Sequence, residues 1–168
     1  MRVLILVGCI WAMAPAAVPG QASAADSVRM AEVSSWRGAL RDADSADGAA
    51  EFVALMRGAD ADDPQALAFR AVAEVLAGTR GGGPFEKWRT FRHWTGVLDS
   101  LTTVHPAHPD IRFLRMTIKD KAPRFLFYRG GIEEDCRVVE EGLETDYWPL
   151  EAEEEFVAGV LKAVKPCQ

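Results

Sequence analysis

Residues 110–136 read DIRFLRMTIKDKAPRFLFYRGGIEEDC, and the fold turns on how this stretch is parsed. Ile111, Leu114 and Ile118 are spaced i, i+3, i+7, the repeat of a helix with one buried stripe. Phe113 and Thr117 line the adjacent face. Pro123 closes the helix near Lys121, because the residue before a proline is pushed out of the helical region. Phe125-Leu126-Phe127-Tyr128 is an aromatic connector and Gly130-Gly131 a hinge. Glu133-Glu134-Asp135 then opens a second helix, running from Ile132 to about Gly142, with the charge that the positive end of a helix dipole favours. The stretch therefore predicts a helical hairpin.

Arg112 and Arg115 are three residues apart and share a side of the first of these helices. Two chemistries suit that pair. Two guanidinium forks can clamp a carboxylate or phosphate of a partner. Alternatively, either can pair with an acid of the returning helix, most naturally Asp135, since the connector from Ala122 to Gly131 is long enough to fold the helices together. The structural pairing is the expectation. Phe125, Phe127 and Tyr128 either line a groove or seal the hairpin end against the core, with the Tyr128 hydroxyl bonded to backbone; the seal is the expectation.

Working outward, Pro84 opens a helix that runs to about Thr103. Trp88, Phe91, Thr95, Leu98 and Thr102 share one face, with Trp94 flanking it and Arg89 and His93 nearly opposite. Asp60–Pro64 is a helix start, an acid capping free N–H groups before a proline at the first helical position. The helix behind it is Ala-rich and runs from Gln65 to about Ala77, with Gly78 as its expected left-handed cap. Ser27–Arg41 is a weaker candidate, with Val28, Ala31, Ser35 and Ala39 on one face and Trp36 as anchor. Ala49–Gly58 is a short helix. Pro149 starts a last helix whose Glu151–Glu155 segment reads as a solvated first turn and whose Phe156, Val157, Val160, Leu161 and Val164 form the apolar face. No segment alternates as a strand does. The fold class is all-α, antiparallel helical hairpins arranged as a tetratricopeptide-like repeat array or a compact helical bundle. Helix starts near Ser27, Pro64, Asp110 and Pro149 fall 37, 46 and 39 residues apart, the size of helix-pair repeats.

The pattern Pro84-Phe85, Lys87, Phe91, then Arg112-Phe113-Leu114-Arg115 and Ile118, then Pro123, Phe125-Leu126, Tyr128, Ile132 and Asp135 resembles an uncharacterised family of secreted bacterial proteins. That family is similar to tetratricopeptide-type helical proteins, although the full tetratricopeptide consensus is absent here. The resemblance covers about a third of the chain. It implies a helical fold and export, and no activity. Lys119 stands where Gln is expected in relatives, and the Gly130-Gly131 pair is particular to this chain.

The 168 residues fit one domain, and the formal charge is −6. An acidic balance speaks against nucleic acid, which needs clustered Lys and Arg, and weakly against an anionic membrane surface. Residues 1–24 read as a cleaved secretory signal: Arg2, an apolar run from Val3 to Ala14, and small residues at Ala22-Ser23-Ala24. A single domain over 25–168 with a charge of −7 is the expected product. A competing lipobox reading of Leu6-Val7-Gly8-Cys9 would make Cys9 a lipid anchor. Cys136 and Cys167 can pair in an oxidising compartment, but a buried Cys136 with a free tail thiol is the expectation. His93, His105 and His108 lack acids or cysteines at zinc spacing, and there is no nucleophile elbow or phosphate loop. No catalytic, metal or cofactor site is assigned. The expected protein is an exported, non-enzymatic binding or scaffolding module for another envelope protein. The alternative is an exported enzyme or small-ligand binder with a site between helices, His93 being the first residue to inspect. Arg112, Arg115, Phe125, Tyr128 and Asp135 are the residues that bind or brace.

Overall fold

A computed structural model describes residues 23–165 of the chain. Of the segment expected to be a signal, residues 1–24, all but the last two lie outside the described residues, as do the lipobox reading at Cys9 and the expected free thiol at Cys167. The described residues form seven α-helices and no strand: α1 Ala24–Asp42, α2 Ala46–Arg57, α3 Pro64–Arg80, α4 Pro84–Val104, α5 Pro109–Lys121, α6 Ile132–Glu144 and α7 Leu150–Val164. A 3-10 turn, Arg124–Leu126, sits in the connector between α5 and α6. The protein is all-α, as its periodicity predicts.

Local chemistry sets the starts. Asp63 caps α3, its Oδ1 accepting from the backbone N–H groups of Gln65 at 2.8 Å and Ala66 at 2.9 Å, with Pro64 behind it. Gly131 begins α6 from the left-handed region, φ 68°, where a Cβ is disfavoured. Gly78 does not cap α3, which continues to Arg80. Its missing side chain serves packing instead: a Cβ there would lie 2.7 Å from Thr90 Cγ2 on α4. Small residues thus let α3 and α4 approach closely.

Two hydrophobic clusters meet on α5. Ile111, Leu114 and Ile118 join Trp36, Phe52, Met56, Phe69 and Leu98 from α1 to α4. Phe113 and Met116 join Cys136, Val139, Trp148, Phe156, Val157 and Val160 from α6, α7 and the loop between them. Asp110, Arg112 and Lys119 are buried as well, so α5 is enclosed on nearly every side. Consecutive helices pack pairwise, α3 also meets α5, and α1 meets α7. First and last helices in contact close the chain on itself. In an open stack of repeats each unit touches only its neighbours.

Several faces differ from the sequence expectation. The buried side of α1 is Val33, Trp36 and Arg37, while Val28 is exposed, because Arg37 is drawn inward by an acid on α5. Leu161 is exposed although Phe156, Val157, Val160 and Val164 are buried as expected. Trp88 is 47% exposed, since it lies near the free N-terminal end of α4, about two turns short of the buried run that starts at Thr95. Cys136 is buried as expected, with its sulfur 3.6 Å from that of Met116, but it is disulfide-bonded and not a free thiol.

Candidate functional site

Asp135 is 0% exposed, and three cations of α5 converge on it. Arg115 Nε donates to both carboxylate oxygens at 3.1 and 3.0 Å, and its Nη2 donates to Oδ1 at 2.5 Å. Arg112 Nη1 donates to Oδ1 at 2.9 Å and Lys119 Nζ to Oδ2 at 2.9 Å. Arg112 also donates through Nε to the carbonyl of Pro106, which ties down the Pro-rich loop before α5. Arg115 reaches across to α4, donating to Thr102 Oγ1 at 2.6 Å and Asp99 Oδ1 at 3.2 Å. Burial is the largest influence on the Asp135 carboxyl and acts to raise its pKa. The hydrogen bonds from Arg115, Lys119 and Arg112 together outweigh it and hold the carboxyl below its ordinary value.

The expected pairing of Arg112 and Arg115 with Asp135 is thus what the structure contains; Arg112 is buried and Arg115 partly buried, both turned to the carboxylate rather than presented to a partner. Lys119 completes the set. It follows Arg112 by seven residues, so the cationic stripe repeats the i, i+3, i+7 spacing of Ile111, Leu114 and Ile118 one position later.

The connector divides. Tyr128 seals the hairpin: its hydroxyl donates to Asp99 Oδ1 at 3.1 Å and to the Thr95 carbonyl at 3.3 Å, and its ring meets Phe91 edge-on at 5.5 Å. Burial first, and then the Asp99 carboxylate, push its pKa upward. Phe125 and Phe127 do not seal anything. They are 74% and 92% exposed, and Phe127 has a left-handed backbone, φ 52°, that ends the 3-10 turn with its ring pointing outward.

A second buried carboxylate, Asp110, is also 0% exposed. Arg37 of α1 donates to it through Nη2 at 2.6 Å and Nε at 3.3 Å, and Gln65 of α3 through Nε2 at 2.5 Å. The loop between α6 and α7 adds Trp148 Nε1 at 2.7 Å and the Tyr147 hydroxyl at 3.2 Å. Arg37 Nη1 in turn donates to Glu153 of α7 at 2.7 Å. Glu153 is therefore a buried partner and not part of a solvated first turn, and α7 leaves helical geometry at this residue (φ −134°, ψ 31°). Burial opposes the charge on Arg37, but Asp110 and then Glu153 outweigh it and raise its pKa. Asp110 thus gathers α1, α3, α5 and the start of α7 into one node.

Among the described residues no cluster of His, Cys, Asp or Glu is arranged to hold a metal ion. The concave surface is shallow. An open depression of about 500 Å³ runs between α3 and α4, lined by Leu67, His93, Val97, Ser100, Leu101 and Val104, with Gly96 and His105 at its edge. His93 also lines a smaller one with Arg89, Thr90 and Trp94. No helix of the described residues is long and apolar enough to cross a membrane. Comparison with protein-family models, curated proteins and solved structures finds no match.

Proposed function

We propose that this chain is an exported, non-enzymatic helical module that binds or scaffolds another envelope protein. The observation that carries the reading is the open groove between α3 and α4. Its lining combines apolar Leu67, Val97, Leu101 and Val104 with polar His93, Ser100 and His105. Two adjacent helices leave a groove that accepts the side-chain ridge of a third, and an amphipathic helix of a partner is the occupant such a surface fits. The buried carboxylate nodes hold the helices that frame it and contribute no exposed arginine clamp. The second reading, an exported enzyme or small-ligand binder, draws on His93, which lines both depressions.

The test is a photo-crosslinking residue placed at Ser100 in cells producing the protein. The reading predicts one discrete adduct with an envelope protein, reduced roughly tenfold or more by Val104→Asp, which sets a charge among the apolar lining residues. Val104 is 70% exposed, so the substitution leaves the core intact. No adduct, or an adduct indifferent to Val104→Asp, contradicts it.

A further inference from the structure

The edge of α4 away from the groove carries a second, different surface. Phe85 is 71% exposed and stacks on Trp88 at 6.1 Å, and the Arg92 guanidinium lies 5.7 Å over the Trp88 ring. One turn further along α4, Phe91 meets Tyr128, and Tyr128 directly follows the exposed Phe127. Phe85 and Trp88 on a helix start, and Phe125 and Phe127 on a loop tip, are thus exposed in two segments joined by the Phe91–Tyr128 contact.

Charge is segregated in the same way. Residues 84–95 carry three Lys or Arg against one Glu, and residues 121–131 carry three and no acid. Residues 132–165 carry eleven acids against three bases. Lys121 and Arg129 are paired with Asp44 and Asp120, which leaves Lys87, Arg92 and Arg124 as the unpaired cations nearest these rings among the described residues. Arg92, over the Trp88 ring, and Arg124 are exposed and have no ion-pair partner among the described residues.

From these rings and cations we infer that the face formed by the first half of α4 and the α5–α6 connector docks on a bilayer rich in anionic phospholipid. Protruding aromatic rings bury in the boundary between headgroups and acyl chains while neighbouring Lys and Arg meet phosphate charge. Trp suits that boundary because its ring is apolar and its N–H polar. An acidic peptide would need a groove to lie in, and the four rings project instead of lining either depression. Phe127 in particular keeps a left-handed backbone that is costly for a bulky residue, with no packing of its ring in return.

The inference goes beyond the groove reading and uses the other edge of α4, so each stands or falls separately. Among the described residues both hydrophobic clusters run from Val33 to Val164, and a chain from Ser23 to Gln168 contains them all. Its partition onto phosphatidylglycerol–phosphatidylcholine vesicles is measured against pure phosphatidylcholine, at low and high salt, with soluble polyglutamate as competitor. The expected result is binding at least roughly tenfold tighter to the anionic vesicles and weakened by salt. Trp88 is the most exposed of the described tryptophans, and its emission should shift to the blue, a shift that Trp88→Phe removes. Phe125→Ser with Phe127→Asn should weaken binding roughly tenfold without lowering the melting temperature, since Asn accepts the left-handed backbone. Arg92→Gln with Arg124→Gln should weaken it roughly 30-fold. Equal binding to both vesicle types, or binding unchanged in both double variants, overturns the inference. Capture by polyglutamate with no vesicle binding also overturns it, and points to an acidic protein instead.

Discussion

Asp135→Ala lowers the stability of the folded chain by about 3–5 kcal/mol, the usual result of removing one side of a buried ion pair. The cost falls at the high end because three cations lose their shared partner at once. Arg112, Arg115 and Lys119 would remain buried, with only the half-exposed Asp99 and Glu134 nearby, at 3.2 Å from Arg115 and 4.0 Å from Arg112. For a chain of this length the loss should appear as a fall in melting temperature of roughly 10 °C or more. Lys119→Met should cost much less, because it removes one of three cations and fills the same space. The pH dependence follows with its sign. The folded pKa of Asp135 lies below its ordinary value. Its contribution is therefore fully present above the unfolded value, about 4, and is lost as the pH falls through the folded value. Acid should destabilise the native chain over that window, and Asp135→Asn should flatten the slope there. A melting temperature within about 2 °C of the native one in Asp135→Ala would show that the node is not holding the hairpin.

Asp110→Ala has the second large effect, also about 3–5 kcal/mol, and it acts elsewhere. The substitution orphans Gln65, Tyr147 and Trp148 and leaves Arg37 with Glu153 alone. Buried donors without acceptors carry the full desolvation penalty. The consequence is directional. Asp110 binds the first helix and the α6–α7 loop to α5, so hydrogen exchange should accelerate most in α1 and at the start of α7. The pair formed by α3 and α4, joined by the close approach at Gly78, should stay protected for longer. Uniform acceleration across all seven helices would mean that Asp110 supports the whole fold and not its closure.

These two nodes were unequally legible in the sequence. Arg112, Arg115 and Asp135 lie on the two arms of one hairpin, 20 to 23 residues apart, and a short connector makes their meeting predictable. Lys119 was within reach as well, because its spacing from Arg112 matches the apolar stripe beside it. Arg37 meets Asp110 across 73 residues and Glu153 across 116. Nothing local announces such pairs. Asp110 reads as an ordinary acid in a first helical turn, Glu153 as one glutamate in a run, and Arg37 as the polar side of a weakly patterned helix. The same limit misplaced α1, whose buried face is chosen by a distant carboxylate as much as by its own apolar residues. Helix identity came through because proline, glycine and periodicity act over a few residues. Export, partner and membrane contact are not written in those signals.

Arg115→Ala distinguishes a brace from a clamp at this residue. Arg115 links α5 to Asp135 on α6 and to Thr102 and Asp99 on α4. Thermal unfolding of the variant should show a loss of about 2–4 kcal/mol, smaller than for Asp135→Ala because Arg112 and Lys119 still neutralise the carboxylate. That corresponds to a melting temperature lower by roughly 5–15 °C. An unchanged melting temperature would contradict the account, and would return Arg115 to the surface as a group free to bind a partner.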